Sequence, residues 1–126
     1  MNFRLELVQV PVSDVDRAKA FYTERAGFVA DHDHAFSDTF RVVQLTPPGS
    51  SCSIAIGTGL SDMRPGSLRG LQLVVTDMTS AHAELSARGV EMSAVEELGR
   101  PGRPGFKFAY FSDPDGNGWV LQEIPA

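Results

Sequence analysis

Apolar and polar positions alternate over residues 5–12, with Val and Leu dominant, which is the period of a half-buried strand. The period then changes. Val15, Ala18, Phe21 and Tyr22 share one helical face behind Ser13 or Asp14 as N-cap, and Gly27 stops the helix. Three strands are expected next, at 28–36, 40–46 and 52–57, parted by Ser37-Asp38 and by Pro47-Pro48-Gly49-Ser50-Ser51. Residues 58–68 have linker composition and no period. The order then recurs, with a strand at 70–76, a helix at 78–88 and strands near 90–95, 106–112 and 118–124. Arg100-Pro-Gly-Arg-Pro-Gly105 predicts a loop outside helix and ladder, either a mobile flap or an exposed connection.

The recurrence extends to residue identity. Leu7-Val-Gln-Val-Pro-Val-Ser-Asp14 is echoed by Gly70-Leu-Gln-Leu-Val-Val-Thr-Asp77, at an offset of 63 in a chain of 126 residues. Gln9 thus falls on Gln72, Asp14 on Asp77 and Ala18 on Ala81. Thr46-Pro-Pro-Gly49 matches Asp113-Pro-Asp-Gly116 at an offset of 67, so loops absorb four residues. The plan is one α+β domain over residues 1–126, doubled from a βαβββ unit: module 1 at 1–57, a linker at 58–68 and module 2 at 69–126.

Composition narrows the partners. Apolar residues make up 42% and charged residues 21%, an ordinary globular mix. A net charge of −5 argues against nucleic acid or an anionic membrane and is compatible with a neutral or cationic ligand. One cysteine, Cys52, excludes an internal disulfide and a multi-cysteine metal site. No apolar run reaches the roughly 18 residues of a membrane span, and Arg4 and Glu6 interrupt any signal-peptide core. The expected compartment is the cytoplasm.

The start Val12-Ser-Asp-Val-Asp-Arg-Ala-Lys-Ala-Phe-Tyr22, its echo after Leu71, and the end Asp113-Pro-Asp-Gly-Asn117 resemble the vicinal oxygen chelate superfamily. That superfamily holds glyoxalase I, extradiol dioxygenases, epimerases, fosfomycin resistance enzymes and bleomycin-binding resistance proteins. The resemblance spans essentially the whole chain and implies two modules whose mixed sheet curls into a cup, with helices on its outer face, and a homodimer. It also implies a divalent metal held by side chains of the first and last strands of each module. Motif spacing puts those positions at Leu7, Ser53, Gly70 and Val120. Leu, Gly and Val carry no donor and a neutral hydroxyl is a poor ligand, so the expectation is no metal and no cofactor.

Strand register decides how firm that is, because a one-residue slip exchanges the two faces. A shift at the last strand would offer Gln122 or Glu123. A shift of two at both module starts would offer Gln9 and Gln72 together. Three glutamines make a weak metal site and a good hydrogen-bonding floor for a polar ligand, unless they only satisfy backbone groups. His32 and His34 share one strand face, either as a pair at a pocket mouth or as members of a solvated edge strand with Asp31 and Asp33. Phe106, Phe108 and Tyr110 share one face and Phe111 takes the other, one of the two packing on the helices and the other open to a ligand, while Trp119 belongs to the core side. Asp113-Pro-Asp-Gly-Asn-Gly118 begins like a calcium loop, but Ile124 stands where a bidentate acid is needed.

The candidate ligand-contacting set is therefore Gln9, Gln44, Gln72, Gln122, His34, Phe108 and Tyr110. One reading is a metal-independent binding protein of the glyoxalase/bleomycin-resistance type that holds a small organic ligand. The alternative is an enzyme of the same superfamily, a lyase, isomerase or dioxygenase, either metal-free with a side-chain base or with displaced metal ligands.

Overall fold

The computed structural model describes residues 1–125; Ala126, the end of the expected second module, lies outside them. The chain divides into two units, Met1–Leu68 with Asp113–Asn117, and Arg69–Ser112 with the residues from Gly118 on. Each unit carries one four-stranded mixed sheet and one principal helix, so the architecture is α+β and repeats βαβββ.

In the first unit β1 (Leu7–Gln9) leads to α1 (Val15–Ala20), a π-helical turn (Phe21–Arg25), β2 (Val29–Ser37), β3 (Phe40–Thr46) and β4 (Ser53–Thr58). The strand order is β1-β4-β3-β2, with β1 parallel to β4 and the other pairs antiparallel. β1 is shorter than its alternation predicts because Pro11 has no N–H to extend the ladder, whose last donor is Val10, 2.9 Å from the Ala55 carbonyl. Asp14, rather than Ser13, caps α1, its carboxylate accepting the Arg17 N–H at 3.0 Å. Gly27, at φ 80°, takes the left-handed conformation that ends the helical stretch. One face of the sheet is closed: Val43 faces Ile56 and Leu45 faces Ile54, all buried, as are Val15, Ala18 and Tyr22 of the helical segment.

The second unit runs β5 (Leu71–Val75), α2 (Met78–Ala87), β6 (Glu96–Arg100), β7 (Arg103–Ser112) and β8 (Gly118–Glu123), in the order β5-β8-β7-β6. Met78, Ala109 and Leu121 form its core, with Leu73, Val75, Ala81, Leu85 and Met92 packed against them. Trp119 and Phe111 are cross-strand partners on this same side, buried and stacked at 5.9 Å. Alternation then puts Phe106, Phe108 and Tyr110 together, as their spacing predicts, on the helix-free face.

Two expectations are corrected here. Residues 90–95 do not form a strand; the edge strand starts at Glu96. The Ser93 hydroxyl accepts the Tyr110 N–H at 2.8 Å, doing with a side chain what a ladder carbonyl would do. The Ser93 carbonyl is bonded in turn to His82 Nε2 at 2.8 Å, which ties this segment to the half-buried His82 of α2. The Arg100–Gly105 stretch is not a loop but the tip of a β6–β7 hairpin, closed by Pro101-Gly102 between paired Arg100 and Arg103. Pro presets the first turn position and Gly102, at φ 75°, supplies the second. Pro104 is tolerated because it precedes Lys107, the first residue of β7 that pairs with β8.

Candidate ligand-binding faces

The expected site residues divide between the two sheets. Gln9, Gln44 and His34 lie on the first; Gln72, Gln122, Phe108 and Tyr110 lie on the second. On each sheet they occupy the face opposite the buried helix-facing side, as the strand period requires.

On the second sheet Gln72 Nε2 donates to Gln122 Oε1, so two of the four expected glutamines are joined. Tyr110 pairs with Val120 and Phe108 with Gln122, which places the aromatic row beside the amides. Tyr110 is 41% exposed and Val74, on the same face, 65%, so this surface is open. Glu123 points the other way. Its carboxylate accepts the Met78 N–H at 2.9 Å and lies 3.6 Å from Lys107, which commits it to the start of α2.

The first sheet holds an arrangement that periodicity alone does not reveal. Gln44 Nε2 donates to Ser53 Oγ at 3.2 Å, Ser53 Oγ lies 2.7 Å from Thr46 Oγ1, and Thr46 Oγ1 donates to Asp31. Asp31 reaches this face because β2 bulges between Ala30 and His32, which puts His32 opposite Gln44. From there a row of rings continues along the strand: His32 to His34 at 6.2 Å, His34 to Phe36 at 6.0 Å and Phe36 to Phe40 at 5.2 Å. Both histidines therefore share one face, and all nine positions of this edge strand are exposed. Asp33 between them faces α1, where Arg41 Nη2 and Lys19 each lie 2.8 Å from its carboxylate. The hydrogen bonds of Arg41 and then of Lys19 hold that carboxyl well below the usual carboxylate range.

The positions at which the family's metal ligands are expected do not fit a divalent ion. Leu7 and Ser53 are register partners in β1 and β4, Val120 sits in β8, and Gly70 precedes β5. Among the described residues no group of three or more His, Cys, Asp or Glu is placed to hold a metal. The Asp113 turn fits one no better. Asp113 Oδ1 accepts the backbone N–H groups of Asp115, Gly116 and Asn117 at 2.9–3.0 Å, and Oδ2 accepts Tyr22 Oη at 2.7 Å and Asn117 Nδ2 at 2.8 Å. Its carboxylate is consumed by donors, so the motif is a structural lock. A separate cleft of about 290 Å³ lies between the end of β1 and the Gly57–Ser61 stretch, and none of the expected site residues lines it.

A family model described as the glyoxalase/bleomycin resistance protein/dioxygenase superfamily matches residues 4–121. The chain belongs to this superfamily. Among solved structures it is similar to TnmS3, an antibiotic binding protein from Streptomyces sp. CB03234, with 35% identity, 98% of each chain covered and a TM-score of 0.81. It is also similar to a glyoxalase/bleomycin resistance protein from the same strain, with 37% identity, 94% of this chain and 98% of that one covered, and a TM-score of 0.76. A superfamily member from Sphaerobacter thermophilus DSM 20745 is 30% identical, with 98% of each chain covered and a TM-score of 0.82. No helix among the described residues is long and apolar enough to cross a membrane.

Proposed function

We propose that this superfamily member is a metal-independent binding protein that holds a small organic ligand on the helix-free faces of its sheets. It acts as a cytoplasmic homodimer. The observation that carries this reading is the chemistry of those faces. Amides, hydroxyls and aromatic rings line them, groups suited to hydrogen-bonding and covering an organic molecule. On the first sheet Gln9 and Gln44 offer amides to polar ligand groups and His34 offers a ring; on the second, Gln72 and Gln122 offer amides and Phe108 and Tyr110 offer rings. The likeness to an antibiotic binding protein points toward ligands of natural-product size.

The test is a thermal-shift screen of natural products on protein stripped with EDTA, run beside elemental analysis and light scattering. The reading requires ligand-induced stabilisation that added Ni, Zn, Fe or Mn leaves unchanged, with a mass of two chains. Near-stoichiometric metal that survives dialysis, or stabilisation seen only with metal, would overturn it.

A further inference from the structure

The direction of the hydrogen bonds on the first sheet restricts what can bind there. A carboxylate only accepts, so the single hydroxyl proton of Thr46 is committed to Asp31. The 2.7 Å contact between Thr46 Oγ1 and Ser53 Oγ then has to use the Ser53 proton. With that proton spent, Ser53 can only accept from Gln44, which fixes the Gln44 amide with Nε2 toward the serine at 3.2 Å. Every proton of the two hydroxyls is thus used inside the row. Asp31, Thr46 and Ser53 have only lone pairs left to offer, and Asp31, at the exposed end, also carries negative charge. His32 is the cross-strand partner of Gln44, so the ring row begins where the acceptor row ends. Phe36, 66% exposed, and Phe40, 38% exposed, leave that row open to a flat ligand.

We propose that this face selects a planar aromatic ligand bearing a hydrogen-bond donor, above all a cationic amine or amidine. Such a ligand lays its rings along His34, Phe36 and Phe40 and its donor against Asp31. An anionic or acceptor-only ligand that sets its polar group at Asp31 meets lone pairs and a carboxylate there and is disfavoured, because desolvated acceptors left facing one another are costly. The net charge of −5 has the same sign preference. This inference rests on the binding-protein reading and names its ligand class.

The experiment compares two probes with one ring system: proflavine, whose edges are amino donors on a cation, and acridine-9-carboxylate, an anion. Binding is followed by fluorescence titration on wild type, Asp31→Asn, Thr46→Val, Phe36→Ala and the control Asp62→Asn, which removes an exposed charge outside both rows. Proflavine is expected to bind wild type at least tenfold more tightly than the carboxylate. Asp31→Asn should cost proflavine about tenfold, Thr46→Val should cost it severalfold, and Phe36→Ala should weaken both probes. Asp62→Asn should leave both unchanged, which separates a located contact from diffuse attraction by net charge. Equal affinity for the two probes, or an Asp31→Asn effect no larger than that of Asp62→Asn, overturns the acceptor-row inference while leaving the binding-protein reading intact. Binding of neither probe also overturns it, and the natural-product screen then decides the broader reading on its own.

Discussion

Replacing Asp113 by Asn exchanges one oxygen for one NH2 at constant shape, in a place where five donors converge. Asp113 is 5% exposed, and its partners Tyr22 and Asn117 are fully buried, so water cannot replace a lost acceptor. With NH2 turned toward the three backbone N–H groups, three donors face a donor. With NH2 turned the other way, the Tyr22 hydroxyl can rotate to accept, but Asn117 Nδ2 loses one of its two acceptors and keeps only the Pro11 carbonyl at 2.8 Å. The second orientation is the cheaper. It forfeits one charge-assisted bond of about 1.5–3 kcal/mol and converts three others from an ionised to a neutral acceptor. The expected loss is about 3–5 kcal/mol, a large share of the roughly 5–15 kcal/mol that holds a domain folded. Tyr22→Phe removes a single bond to Oδ2 and should cost less, about 1.5–3 kcal/mol. Equilibrium urea unfolding followed by far-UV circular dichroism measures both. A loss below about 1 kcal/mol for Asp113→Asn, or a larger loss for Tyr22→Phe, would refute the idea that the carboxylate is the hub of this turn.

Asp33→Asn tests the ion pairs beside α1. Because Arg41 and Lys19 lower the Asp33 carboxyl in the folded protein, their stabilisation is present above the ordinary unfolded value near pH 4 and is lost as pH falls through the lower folded value. Thermal melts from pH 2.5 to 7 should show a gap between wild type and variant, worth about 1 kcal/mol near neutrality, that closes in acid; a gap independent of pH would break the argument. Ser93→Ala should cost about 1–2 kcal/mol and speed hydrogen exchange of the Tyr110 amide, which NMR reads directly. Gly102→Ala should cost about 1 kcal/mol in chemical unfolding through backbone conformation alone, since a Cβ there meets nothing within 4 Å. Gln122→Leu should leave the melting temperature within about 2 °C while weakening a ligand found by thermal shift roughly tenfold; undiminished binding would remove the glutamine pair from the site.

What could be read from residue order alone was local. Asp14 and Asp77, matched by the 63-residue echo, both cap helices by accepting an N–H three residues on, because capping depends only on neighbouring backbone. Alternation likewise assigned Phe108, Tyr110 and Trp119 to their faces, since a strand exchanges faces at every residue. The repeat matched Gln72 to Gln9, and the strand period set Gln122 with them; of the three, Gln72 and Gln122 meet on the second sheet and Gln9 lies on the first. The misplaced sixth strand shows where this reasoning stops. Where the ladder with β7 begins is settled by that partner strand: Ser93 meets Tyr110 through its N–H and its hydroxyl, and regular pairing starts at Glu96, opposite Phe108. The Pro/Gly stretch became a hairpin tip for the same reason: its composition marks a turn, and only a partner strand makes the flanks a ladder. The acceptor row depends most on tertiary structure. Asp31 joins Thr46 only because an extra residue in β2 breaks the count of two, and a bulge forms where two strands differ in twist and length, which neither strand records by itself.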